Sequence, residues 1–410
     1  MKPRSLFVGL ALFIALALPV NAQFLAAAQT LQQRIDNAYA GKGRVQLPYG
    51  ENVITSSILT SNKAGLVVQG HGNTWGINPA HPNMGAHSTV QWGSVDSSQP
   101  MVIVRGANTV WRDLNLQGDA WTASGGGSLN LYASRPTAGF LVRSVAGVGS
   151  GKHLFDNVNV EKCVTAWQAG EAEGDDNCDV TTVRHARARN CYSQHLNLNS
   201  QGMGWVYEHC IYGDYTDGKV FDYVAGGDLV ARYQLVTSRA TLLNLRPGSA
   251  SAIGSNNGGF SFYDLKTDTL ARGTTLVEVT GRQTKCNVNF WGGNISGNGF
   301  NYNTLSRRML NLRGGPRVLL SGVWIVIGCD DSIIWDTDAD SYTASVVLSG
   351  CRISATSIAA MFDEAASQGT IKVICMACVN GNGDYFYDPN NPNAVAEGDV
   401  NFVLTINGTL

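Results

Sequence analysis

Between residues 171 and 189 the chain carries its densest run of groups able to do chemistry: Glu171, Glu173, Asp175, Asp176 and Asp179, followed at once by Arg184, His185, Arg187 and Arg189. Carboxylates spread along a loop suit a hard cation such as calcium, which takes several oxygen ligands. Asp175, Asp176 and Asp179 are therefore the candidate cation ligands. The basic residues beside them could meet an acidic polymer. Cleaving a uronate chain by β-elimination requires neutralising the sugar carboxylate, removing the proton next to it and easing the departure of the leaving oxygen. Calcium or arginine can do the first task, and Arg, Lys, His or Tyr the second. That makes Arg187, Arg189 and His185 the candidate catalytic groups. Further along, Glu208, His209, Lys219, Asp222 and Arg232 could reach the same side, with Lys219 and Arg232 as substrate-binding cations. The bland alternative is a solvated acidic loop balanced by surface arginines, and no EF-hand spacing sharpens the cation site.

Aromatic residues supply a second set of candidates, because a tryptophan presents a broad apolar face to a sugar ring. Trp121 and Trp167 border irregular stretches and are the candidate ligand contacts. Trp205 and Trp291 lie inside strand-like runs and read as core or stacking residues. Nine cysteines leave at least one unpaired in any disulfide scheme. Cys329, Cys351 and Cys375 are close to evenly spaced and read as small buried residues stacked in one column. Cys375 and Cys378 form a CxxC pair, but in a strand their sulfurs would fall on opposite faces, which argues against metal or redox use.

The elements that must position these groups follow from a recurring pattern: an apolar residue, a few mixed residues often including Gly, Asp or Asn, then a second apolar residue. Its closing residues are Leu116, Val160, Ala188, Ile211, Leu235, Leu265, Ile295, Ile325, Ile353 and Val379. Such a period marks a stacked solenoid, in which units too short to bury their own apolar face share one core. With parallel strands about 4.8 Å apart, around eleven coils would make a rod roughly 50 Å long. The stretches 117–159 and 161–182 read as excursions from the stack, where binding groups tend to sit. Leu31, Ile35, Ala38 and Tyr39 mark one face of a short helix ended by Gly41 and Gly43, suited to plug the first coil. Val400, Phe402, Leu404 and Ile406 alternate as a last strand.

Residues 1–22 read as a secretory leader: Lys2 and Arg4, an apolar run over 6–20, then Val20-Asn21-Ala22. The run is shorter than the about 20 residues a membrane-spanning helix needs. Export is expected, to the periplasm or outside the cell, with no integral membrane segment after leader removal. Only 15% of residues are charged and the net charge is -2, which disfavours nucleic acid as a partner. The segments are then the leader at 1–22, a capping helix at 23–43, coils at 44–387 and a closing segment at 388–410.

The helix, the Gly-rich turn, the strand Val45-Gln46-Leu47-Pro48-Tyr49-Gly50 and the run Leu66-Val67-Val68-Gln69-Gly70-His71-Gly72 resemble the start of right-handed parallel β-helix proteins of the pectate-lyase-like superfamily. The resemblance covers about residues 44–380. It implies an all-β solenoid with an N-terminal capping helix and a polysaccharide partner, cleaved by elimination or by glycoside hydrolysis; the alternative is a non-catalytic surface, adhesin or tailspike-like protein. Asp330-Asp331 and Gly70-His71-Gly72 resemble elements of polygalacturonase-like hydrolases, which use paired carboxylates. Here their order is reversed and the flanking N-T-D and R-I-K elements are missing. The pectate-lyase W-x-D-H and R-x-P-x-x-R patterns are missing too.

Overall fold

The computed structural model describes residues 29–41, 43–72, 87–94, 98–118, 135–145, 148–172, 177–215, 217–246, 259–268, 271, 273–280, 286–295, 308–326, 328–337, 343–388 and 400–409. The leader, Glu173, Asp175, Asp176 and Trp121 lie outside the described residues.

Strands of two to eight residues stack in parallel from coil to coil, in one sheet of 22 strands and a second of 10. Alternation within each strand turns every second side chain inward. In-register pairing then piles the inward residues into columns. One column begins Val45, Val68, Trp111, Phe155, Val183, Tyr207 and runs on to Leu348 and Cys375, all buried. No single coil could bury these groups, so the core exists only through stacking.

The repeated Gly, Asp or Asn has a conformational cause. Within the large sheet each coil bends once, at a residue with positive φ: Asp113, Asn157, His185, His209, Tyr233, Asp264, Gly292, Gly322, Gly350 and Ala377, with φ between 49° and 66°. The left-handed region is cheap for Gly and tolerable for Asn and Asp. The bend is shallow, because Val110–Gln117 and Leu154–Glu161 each run through it as a single strand. The corner amides of His185 and His209 donate to the carbonyls of Glu208 and Arg232 in the next coil, both at 2.9 Å.

This corner corrects the expected register. The inward position lies three residues beyond it, and the pairings align Ala188 with Tyr212 and Val236, and Thr267 with Ile295. Ile211, Leu235 and Val379 come one residue early and are only half-buried, and Leu265 two residues early. Apolarity alone misplaced Ile211, Leu235 and Val379 because the corners at His209, Tyr233 and Ala377 carry no Gly, Asp or Asn to mark them.

The cysteines also differ from expectation. All nine are buried thiols outside any disulfide, but Cys351 follows a corner, Cys375 precedes one, and the Cys329 amide donates to the Ser354 carbonyl beyond the strands, so they share no single column. Ala377, at φ 49°, interrupts the strand alternation between Cys375 and Cys378. Both sulfurs therefore turn inward, and Cys378 contacts Cys375 and Cys351.

Both ends of the core are covered. Helix Leu31–Ala40 starts with a capping box between Thr30 and Gln33 and buries Leu31, Ile35 and Ala38. Its Gln32 amide donates to the Leu59 carbonyl at 2.9 Å and accepts from the Leu59 amide at 2.8 Å, occupying the open edge of the smaller sheet. At the other end Asn401–Asn407 pairs antiparallel with Thr370–Met376 and turns Phe402, Leu404 and Ile406 inward. Among the described residues no helix is long and apolar enough to cross a membrane.

Candidate functional site

The basic run 184–189 occupies one coil, and the coil before it supplies its partners. Strands Thr182–Arg184 and Arg187–Arg189 flank the His185 corner and lie in register on Leu154–Glu161, setting Arg184 beside Asp156, Arg187 beside Asn159 and Arg189 beside Glu161. Arg184 reaches Asp156 at 2.8 Å, and His185 Nδ1 lies 3.1 Å from the other Asp156 oxygen. Burial alone would raise the Asp156 pKa, but hydrogen bonds from Arg184 and His185 outweigh it and hold the carboxyl below its ordinary value. With Nδ1–H donated to Asp156, the imidazole presents Nε2 as the basic nitrogen. The left-handed corner throws this ring outward, and its side chain is 56% exposed.

Beside the ring an open groove of about 250 Å³ is lined by Asn157, Asn159, His185, Ala186, Arg187, His209 and Ile211. Arg187 is only 16% exposed, and its Nη2 lies 3.3 Å from Asp214. Burial lowers its pKa, and the neighbouring charge of Arg189 adds to the effect against the pull of Asp214. Arg189 contacts Asp214 through Nε and Glu161 through Nη1, the latter at 3.5 Å. Glu161 is 1% exposed and its Oε2 has no hydrogen-bond partner. Burial raises its pKa despite Arg189 and Arg187. It lies beneath the guanidinium and holds it from below.

The other sequence candidates disperse. Trp167 is fully buried between Phe155 and Tyr207 and is a core residue, because its strand position faces inward. Lys219 and Asp222 sit in strand Gly218–Tyr223 of the smaller sheet, on another face; Lys219 pairs with Glu278 at 2.5 Å and Asp222 with Arg246 at 2.6 Å. Arg232 is on the groove's sheet, paired with Glu208 at 2.7 Å. Asp179 stands before the Val180 corner, separated from Arg187 by strand Thr182–Arg184 and the His185 corner. Its pKa is raised, first by burial and further by the Asp228 charge. Among the described residues no three His, Cys, Asp or Glu are grouped to hold a metal. Trp291, read as a core or stacking residue, is 40% exposed and so outside the core.

The hydrolase-like elements lie far apart. His71 stacks on Tyr49 at 3.8 Å near the first coil, while both Asp330 oxygens accept from Thr356 at 2.9 Å near the last, a turn-closing role. Asp156, Asn157, Asn159 and Asp214 escaped the sequence reading. The coil period itself was the available signal, since Asp156 and Arg184 are 28 residues apart.

No protein-family model and no curated protein matches the chain. Among solved structures, the catalytic domain of a GH87 α-1,3-glucanase in complex with nigerose is similar at a TM-score of 0.51 and 13% identity, over 87% of this chain and 64% of that one. This chain is a right-handed parallel β-helix. The β-helix thus spans just under two thirds of the glucanase domain's length. An A-module of a mannuronan C-5 epimerase from Azotobacter vinelandii gives 0.49 at 14% identity, over 86% of this β-helix and 89% of that chain. A tailspike protein from Acinetobacter baumannii bacteriophage Fri1, a capsular polysaccharide depolymerase, gives 0.42 at 13% identity over 78% and 58%. At these identities the likeness is one of fold.

Proposed function

We propose that this β-helix is an exported carbohydrate-active protein that binds a polysaccharide across the groove at Arg187 and cleaves it by β-elimination. The observation that carries this reading is the groove's lining. It offers one desolvated arginine, two imidazoles and two asparagines, but no carboxylate. That is equipment for drawing a proton from beside a sugar carboxylate, and it lacks the acid and base pair of glycoside hydrolysis. His185, oriented by Asp156, takes the proton at Nε2; the electron pair left on the sugar carbon becomes the ring double bond as the glycosidic C–O bond breaks, and the leaving oxygen takes a proton from solvent. Arg187 and Arg189 pair with the uronate carboxylate and stabilise the charge that develops on it. Asn157 and Asn159 offer hydrogen bonds to sugar hydroxyls.

A second reading, hydrolysis, is favoured by Glu161 and Asp214. Both touch the Arg189 guanidinium, and paired carboxylates are what hydrolysis uses. The deciding experiment is incubation with a panel of acidic and neutral glycans, with and without calcium. Ultraviolet absorbance reports unsaturated uronate ends, and a reducing-end assay reports all cleavage. Unsaturated ends that disappear in His185→Gln support elimination. Reducing ends without unsaturation establish hydrolysis instead, and retention without any product leaves a non-catalytic binder. Dependence on calcium would bring Asp175, Asp176 and Asp179 into the reading as its ligands.

A further inference from the structure

Strand Asn401–Asn407 covers the end of the core but leaves one of its own edges open. It pairs with Thr370–Met376 on one side, and among the described residues nothing pairs with it on the other. The hydrogen bonds at its ends show which backbone groups are left over. The Val400 carbonyl accepts from the Ala377 amide at 3.1 Å, and the Gly408 amide donates to the Gly369 carbonyl at 2.8 Å. Along a strand the backbone groups of alternate residues point the same way, so Phe402, Leu404 and Ile406 direct theirs at Thr370–Met376. The N–H and C=O groups of Asn401, Val403, Thr405 and Asn407 therefore point out past the end of the sheet.

Because an open edge templates the addition of another strand, proteins blunt it with charge, proline or a bulge. This edge has none of the three. Asn-Phe-Val-Leu-Thr-Ile-Asn contains no charged residue and no proline, and its register with Thr370–Met376 is unbroken. Val403 adds apolar area at the rim, 52% exposed, with Met376 diagonally across at 36%.

The strand is also its own complement. An antiparallel copy centred on Leu404 sets Val403 opposite Thr405, Phe402 opposite Ile406 and Asn401 opposite Asn407, and the symmetry repeats each pair. In that register the residues with outward backbone groups face one another and exchange both hydrogen bonds, while Phe402, Leu404 and Ile406 of both copies stay on the core side. A slip of one residue destroys both matches. Covering the core requires only the inward Phe402, Leu404 and Ile406; it places no demand on the residues between them, which match all the same.

We infer that this edge is the interface of a symmetric dimer, in which a second copy of the chain continues the large sheet by antiparallel pairing of Asn401–Asn407 with itself. The contact is isologous, so it consumes both open edges and closes at two copies instead of growing into a fibre.

The test is sedimentation velocity of the whole chain over a concentration series, with variants at the exposed central positions. Val403→Lys combined with Thr405→Lys sets like charges opposite one another; Val403→Lys combined with Thr405→Glu sets opposite charges there. The wild type should form a concentration-dependent dimer. The like-charged variant should weaken it by on the order of tenfold or more, and the oppositely charged one should recover most of that at low salt. Thr405→Pro removes an outward N–H and no bond to Thr370–Met376, so it should give a folded monomer. Thermal unfolding at low concentration controls for folding of all three. A wild type that stays monomeric up to its solubility limit refutes the dimer, whether the edge is bare or covered by another part of the chain. A dimer indifferent to the variants, or assembly beyond two copies, refutes it equally.

Discussion

Acid should destabilise this solenoid through two histidines sealed in its core. His153 is 2% exposed and lies between Thr109 and Ser150, at 2.8 and 3.0 Å. His195 is fully buried with Nδ1 2.8 Å from the Tyr207 hydroxyl, and its Nε2 has no partner. Burial lowers the pKa of His153 to about 4 and that of His195 to about 3. An unfolded histidine titrates near about 6.5. Below that pH the unfolded chain takes up protons that the folded chain refuses, so stability is whole above pH of about 6.5 and falls as the pH drops towards the folded values. At about 1.4 kcal/mol per pH unit for each group, the full loss is about 3 kcal/mol for His153 and about 5 kcal/mol for His195; by pH of about 4.5 the two together cost about 5 kcal/mol. The assay is urea unfolding from neutral pH to pH of about 4.5, comparing the wild type with His153→Gln, His195→Gln and the double variant. Each substitution lowers neutral-pH stability but flattens the pH slope by about 1.4 kcal/mol per unit. A double variant with the wild-type slope would refute the reasoning, since the acid sensitivity would then reside in carboxylates.

Two further substitutions separate site from scaffold. Asp156→Asn removes the carboxylate that orients His185 and should lower cleavage by on the order of a hundredfold in a glycan assay while the midpoint of unfolding moves little. Activity equal to wild type would show that His185 needs no such orientation. Trp167→Ala opens a cavity among Phe155, Tyr207 and their neighbours and should cost about 3 to 5 kcal/mol in thermal or urea unfolding. If Trp167→Ala instead leaves stability intact and abolishes glycan retention, the ring contacts ligand and its assignment to the core is wrong.

Most of the architecture was legible because it is local and periodic. Gly292, Gly322 and Gly350 announce their corners by residue type, and Leu31, Ile35 and Ala38 announce the capping helix by spacing. The reading slipped where the corner is held by an unusual residue, at His209 and Tyr233, and there the apolar neighbour was mistaken for the inward one. Of the two, His209 turned out to line the groove and Tyr233 to stack on its ring. The CxxC pair was misread for a related reason, since nothing about Ala377 signals the positive φ that brings Cys375 and Cys378 to one side.

The amino-acid order by itself determined that the chain winds into stacked coils, since short apolar strands at a repeating interval have no other way to bury their faces. It also singled out Arg187, Arg189 and His185 as chemically able groups. Only the tertiary structure decided their company: Asp156 and Asn159 in the coil below, Asp214 in the coil above, and Lys219 and Asp222 on a different sheet. The reason is register. Coil lengths vary, so which residues become neighbours depends on where each corner falls, and that is settled by backbone pairing between coils rather than by spacing along one.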